Sequence, residues 1–340
     1  MELGIWRLEF EKIMSFKDVM GHQRPIKLLQ QAIQNQRVVN SYLFLGTEGI
    51  GKRLVAVQFA KVLNCLDIEQ RTDACDRCTS CKKIDQYLHP DVSVIEPEGQ
   101  TIKIEQVRQM QRTLAYRPYE ARQRVVILTA ADRMAHDIPN ALLKTLEEPP
   151  LHTVIILLAN NAKFILPTIL SRCQTIRFNP LPSHLVSDWL MREKGLTENK
   201  AGLLASLSEG SPGKALEIQE EIGGVPRKEL LTGWVGAKLL SIEDQEGWIE
   251  SLPSQRENLR LILEMAKTLL RDLMVLKASQ KDLRMIHADL LEELEEIAGR
   301  WSLSSLLKRL DSLHHTSQAI RSNANPRLSL EAMMLSWAEG

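Results

Sequence analysis

No run of 18 consecutive apolar residues occurs in the 340-residue sequence, so hydropathy gives no helical membrane span. The first residues, MELGIWRLEFEKIM, carry acids and lack a continuous apolar stretch, unlike a secretory signal. Recognisable pattern begins only after Met14, which makes it an alternative start and residues 1–13 an extension. Net charge is also missing. Lys+Arg is 43 and Asp+Glu is 43, which argues against a protein that grips nucleic acid by its overall field. Internal repeats and low-complexity tracts are lacking too. Only 5 cysteines are present, and four of them (Cys65, Cys75, Cys78 and Cys81) crowd into one segment. That clustering implies a metal site in a reducing cytoplasm rather than a disulfide framework.

The length suggests two or three domains. An amphipathic stretch, PIKLLQQAIQNQ, leads into the apolar run SYLFLG, a glycine turn, and RLVAVQFAKVLNC at helical spacing. Further on, DVSVIEP, RVVILTAA, TVIILLA and QTIRF read as strands. IEQVRQMQRTLAY and NALLKTLEEP read as the helices between them. Strands alternating with helices predict a parallel α/β sheet with flanking helices. Strand signals disappear after NPLPS near residue 180, and three short helices are expected up to residue 222. The punctuation GGVP at 223–226 marks a further boundary before an all-α remainder. Its apolar stripes read simply as packing surface.

The turn Gly46-Thr-Glu-Gly49-Ile-Gly51-Lys52-Arg53 fits the phosphate-binding pattern G-x-x-x-x-G-K except at its last position. Gly46, Gly49 and Gly51 would let backbone N–H groups curl around phosphate, and Lys52 would reach the β/γ-phosphates. The hydroxyl that normally binds Mg²⁺ is replaced by Arg53, which cannot coordinate a cation. A P-loop enzyme also needs acids after a buried strand to hold metal and activate water. Thr129 and Ala130 stand where that pair is expected, and Asp132 lies too far along, reading better as a helix cap. Two separate losses point to a degenerate ATPase. Phosphate or ATP binding stays open, but no Mg²⁺-dependent hydrolysis is expected.

The cysteines form C-x₉-C-x₂-C-x₂-C. Four thiolates suit tetrahedral, structural Zn²⁺; an iron–sulfur cluster or free thiols are the alternatives. From Lys103 to Arg124, Lys103, Arg108, Arg112, Arg117, Arg122 and Arg124 face only Glu105 and Glu120. Arg108 and Arg112 share a helix face. Their face could track a DNA backbone, or be a solvated face or a subunit interface.

FKDVMGHQRPIKLLQQAI, the GTEGIGK loop, the cysteine cluster, NALLKTLEEPP and LPTILSRC follow in this order. The series resembles the clamp-loader subunits of bacterial DNA polymerase III, the gamma/tau and delta-prime proteins, over about residues 15–220. The resemblance implies a P-loop AAA+ module at 14–178 carrying a zinc module at 65–81. A helical lid at 179–222 and an all-α collar at 223–340 would follow. It implies a cytoplasmic replication protein in a hetero-oligomeric ring with gamma/tau and delta subunits, acting on the sliding clamp and primed DNA. In this family the arginine of Ser171-Arg172-Cys173 is a finger that reaches a neighbour's γ-phosphate. Asn160 matches a polar sensor position, or is a strand-end turn residue. A gamma/tau ATPase would carry Ser or Thr at 53, acids at 129–130 and a sensor arginine at Gly213; these departures fit a non-hydrolysing member. An active gamma/tau-type ATPase is the alternative.

Overall fold

The computed structural model describes residues 15–67, 72–99, 101–135, 138–221, 227–235, 249, 252, 256–278 and 285–338. The extension at 1–13, Met14 and the GGVP boundary lie outside the described residues. The chain divides into two compact units, Met1–Leu185 with Ser211–Gly213, and Val186–Gly210 with Lys214–Gly340.

The first unit is built on five parallel strands: β1 (Ser41–Leu45), β2 (Val92–Ile95), β3 (Arg124–Leu128), β4 (Thr153–Ala159) and β5 (Gln174–Arg177). Their order across the sheet is β2-β3-β4-β1-β5. The apolar runs fall where that order demands. β1, β3 and β4 have neighbours on both sides and every residue buried, whereas the edge strands β2 and β5 are only partly buried. Alternate side chains of β1 enter two cores. Tyr42 and Phe44 pack on one face, and Leu43 and Leu45 on the other.

The helices of this unit are α1 (Gln23–Gln34), α2 (Lys52–Asn64), α3 (Thr79–Asp85), α4 (Ile104–Leu114), α5 (Ile138–Glu147) and α6 (Pro167–Leu170). Helix α2 is buried along most of its length because it crosses behind the central strands. The sequence had offered no helix among the cysteines, yet α3 forms there.

Helices α7 (Ser183–Lys194), α8 (Glu198–Leu207) and α9 (Pro212–Glu221) follow β5 in the chain. The rest of the described chain is helical: α10 (Arg227–Leu230), a π-helical turn at Leu231–Val235, α11 (Arg256–Lys277), α12 (Leu291–Arg300), α13 (Leu303–Arg321) and α14 (Pro326–Ala338). Leu259, Leu263, Ala266, Leu270 and Leu273 of α11 form a buried stripe facing α12 and α13. Two buried polar clusters lock this unit. Arg309 lies between Trp301 at 3.7 Å and Trp337 at 4.9 Å and donates to the Val235 carbonyl. Asp272 accepts the backbone N–H groups of Ile286 and His287. No strand follows β5, and no helix is long and apolar enough to cross a membrane, among the described residues.

Candidate functional site

Parallel strands put all their carboxyl ends on one edge of the sheet, and β1 and β4 pair so that Leu45 stands beside Ala159. The glycine loop after β1 therefore meets Asn160 after β4, and Thr129 after β3 follows on the same edge. Gly46 is required by close approach. A Cβ there would meet the Phe178 carbonyl oxygen at 2.6 Å. Gly49 and Gly51 have φ of +71° and +107°, in the region that favours glycine.

The lysine of the loop is turned into the protein. Lys52 Nζ donates to the carbonyls of Gly46 at 2.6 Å and Thr47 at 2.8 Å, and to Asn160 Oδ1 at 2.9 Å. An ammonium has three N–H donors, and all are used. Burial pushes Lys52 down to about 8, against the opposing charges of Asp132 and Glu48. The tip of the loop is held from outside as well. Ser211 Oγ donates to the Glu48 carbonyl at 2.7 Å, and the Gly213 N–H donates to Gly49 at 3.0 Å. His22 meets the Ile50 carbonyl at 2.8 Å. Its Nε2 must carry the proton to do so, and burial keeps the ring's pKa low.

The residues beside the loop are also engaged within the chain. Arg53 pairs with Glu96, just beyond β2, and lies 5.4 Å over the Tyr87 ring. Thr129 turns its hydroxyl to the Ile95 carbonyl at 3.1 Å. Asp132 does not cap its own turn as the sequence suggested. Its Oδ2 accepts the N–H groups of Asn160 and Asn161 at 3.0 and 3.2 Å and ties β3 to the end of β4. Lys214 pairs with Glu209.

The four clustered cysteines converge, with all sulfurs within 4.8 Å of one another. Tetrahedral Zn²⁺ with bonds of about 2.3 Å sets sulfurs roughly 3.8 Å apart, so the set fits the ion. The Cys78 N–H points at Cys75 Sγ and the Cys81 N–H at Cys78 Sγ, both at 3.4 Å. Burial tends to raise the Cys78 thiol, but the N–H groups of Cys81 and Leu66 and the neighbouring thiols bring it to about 7. The module is anchored by Lys61 of α2, whose buried amine pairs with Asp76 and Asp85, and by the Phe16 N–H on Asp73 at 2.8 Å. Cys173 lies in the core on the other face of the sheet.

Arg172 is at the opposite edge of the sheet, just before β5. It donates to the Thr168 carbonyl at 2.9 Å and pairs with Glu147 at 2.5 Å.

The basic stretch proves to be two kinds of residue. Arg124 is buried, paired with Asp91 at 2.7 Å and donating to the carbonyls of Thr113, Tyr116 and Arg117. It is removed from the candidate DNA patch, because a buried guanidinium so engaged is a structural rivet. Burial would raise Asp91, but the N–H groups of Glu120, Tyr119 and Ala121 and the Arg124 guanidinium bring it to about 2. Lys103 pairs with Glu98 and Glu120 with Lys83. Arg108, Arg112, Arg117 and Arg122 are exposed and make no ion pair among the described residues.

Two family models match, described as "DNA polymerase III, delta subunit" over residues 21–182 and "DNA polymerase III, delta subunit, C terminal" over 238–339. The DNA polymerase III subunit delta' of Bacillus subtilis is 29% identical over 96% of this chain and 99% of its own length. The chain belongs to the delta-prime family of DNA polymerase III clamp-loader subunits. The tau subunit of B. subtilis is 27% identical over 94% of this chain, which spans 61% of that longer relative. A solved Thermotoga maritima gamma subunit-related protein covers 93% of this chain and is itself covered over 99%, at 19% identity and a TM-score of 0.43. The first unit has the AAA+-like arrangement of the family, a parallel sheet with flanking helices and a glycine loop after its first strand. His22, Phe178, Ser211, Glu96 and Glu147 were missed in the sequence. They act through contacts between distant segments, and no local pattern marks them.

Proposed function

We propose that this chain is a non-hydrolysing member of a clamp-loader ring, which completes a neighbour's ATP site with Arg172 and does no ATP chemistry of its own. One observation carries the reading: every N–H of Lys52 is spent on Gly46, Thr47 and Asn160, leaving none for a phosphate. Arg53 and Thr129 reinforce it. Each stands where Mg²⁺ would need an oxygen ligand, and each is engaged elsewhere. Gly46, Gly49, Gly51, Lys52 and Asn160 then form a relic of a phosphate site whose present work is structural.

Arg172 cannot serve its own loop. The two lie at opposite edges of a sheet whose strands β1 and β5 have five and four residues, roughly 13–17 Å end to end. A half-exposed arginine there is suited to a partner. Its planar charge would stabilise a transferring phosphoryl group, an effect of about 10³–10⁵ in rate where an arginine finger operates.

The partners in this reading are gamma/tau and delta subunits, with the sliding clamp and primed DNA reached through the complex, in the cytoplasm. Residues 14–178 act as the AAA+ domain, 179–222 as the lid and 223–340 as the collar. Cys65, Cys75, Cys78 and Cys81 hold structural zinc. Arg108 and Arg112 offer a DNA-facing pair. Titrating the purified chain with labelled ATP, with and without Mg²⁺, tests the central claim. Neither binding nor turnover is expected at millimolar ATP, and robust turnover by the chain alone would refute it.

A further inference from the structure

The corner that holds Arg172 contains a second charged residue, Glu147, at the last position of α5. A carboxylate is disfavoured at a helix C-terminus, where the backbone dipole is negative. Glu148, Pro149 and Pro150 follow it directly. The position is offset by Arg172, whose Nη2 sits 2.5 Å from Glu147 Oε1. The other terminal nitrogen, Nη1, donates to the Thr168 carbonyl at 2.9 Å and to Ser171 Oγ at 3.2 Å. Both terminal nitrogens are therefore held by the chain's own acceptors, and the charged one among them is Glu147.

We propose that Glu147 is a positioning residue: its carboxylate parks the Arg172 guanidinium on its own subunit until an anionic phosphoryl group of the neighbouring site displaces it. The proposal rests on the reading of Arg172 as a group that acts in trans. A carboxylate and a phosphate compete for the same fork of donors. The carboxylate offers one charge and is itself 47% exposed. The terminal phosphoryl of a nucleotide offers more charge and three oxygens. An exposed ion pair is weak, so the exchange is reversible and costs the complex a small, definite share of its apparent nucleotide affinity. The Thr168 bond uses a different nitrogen and can persist during the exchange. The arginine then swings about a fixed point instead of searching freely.

The test is DNA-stimulated ATP turnover against ATP concentration in the reconstituted clamp-loader complex, with wild-type chain, Glu147→Gln, Arg172→Ala and the double variant. Glutamine keeps the shape and removes the charge. Glu147→Gln should lower the half-saturating ATP concentration by about two- to fivefold with kcat unchanged. Arg172→Ala should lower kcat, and the double variant should match Arg172→Ala alone. A merely structural Glu147 would shift the melting temperature without moving the half-saturating concentration. If Glu147→Gln leaves that concentration unchanged or raises it while Arg172→Ala still lowers kcat, the parking role is overturned and the trans role stands. If Arg172→Ala leaves turnover unchanged, the trans reading fails and the role of Glu147 falls with it.

Discussion

Lys52 and Arg172 both carry a positive charge in a signature loop of the same sheet, and they face opposite ways. Lys52, beyond the carboxyl end of β1, is 7% exposed with its donors saturated from within. The Arg172 side chain, before the amino end of β5, is 34% exposed and held by an ion pair with Glu147, itself 47% exposed. The same division splits the basic stretch, where Arg124 is buried in a network and Arg108 and Arg112 point to solvent. A motif cation turned inward holds the fold together. One turned outward keeps its charge exposed at the surface.

Breaking the inward class should cost stability, and breaking the outward class should not. The largest effect is expected at Asp91→Ala, which strands the buried Arg124 and three backbone N–H groups. About 3–5 kcal/mol should be lost in denaturant unfolding. The folded-state pKa of Asp91 is depressed to about 2. Its contribution is therefore complete above the ordinary carboxylate range and is lost as pH falls from about 4 towards 2. Asp91→Asn should flatten that part of the stability profile. If it does not, Arg124 does not depend on the charge.

Lys52→Ala comes next. It leaves the Gly46 and Thr47 carbonyls without their donor and should cost about 1–3 kcal/mol. Unchanged stability would mean that the lysine is not committed to the fold. Ser211→Ala removes one hydrogen bond to the glycine loop and should cost about 1 kcal/mol by the same assay. Arg172→Ala should change stability by less than about 0.5 kcal/mol, whatever it does to turnover in the assembled ring. A loss as large as that of Lys52→Ala would collapse the distinction. The smallest effect concerns Arg108 and Arg112. Changing both to Ala should leave melting unaltered and reduce the salt slope of complex–DNA binding by about two. An unchanged slope removes them from the DNA-facing surface.

Much of this was legible in the chain. The largely apolar runs SYLFL, RVVIL and TVIILLA became the three fully buried strands, because a strand covered on both faces is near-continuously apolar. The cysteine spacing anticipated the converging sulfurs, since C-x₂-C-x₂-C leaves the short turns little choice. Asp132 and Arg124 were misread for one reason. Their partners, Asn160 and Asp91, are distant in sequence and adjacent only because β3 lies between β2 and β4.

By itself the sequence determined most of the elements, the departure of the glycine loop from its pattern at Arg53 and the family, because these depend on residue type and short-range spacing. Only the tertiary structure decided which way each cation points. Direction depends on what the parallel sheet brings alongside. Asn160 lies beside Lys52 at one end of the strands because β4 pairs with β1, and Glu147 lies beside Arg172 at the other because α5 packs against α6, which leads into Arg172.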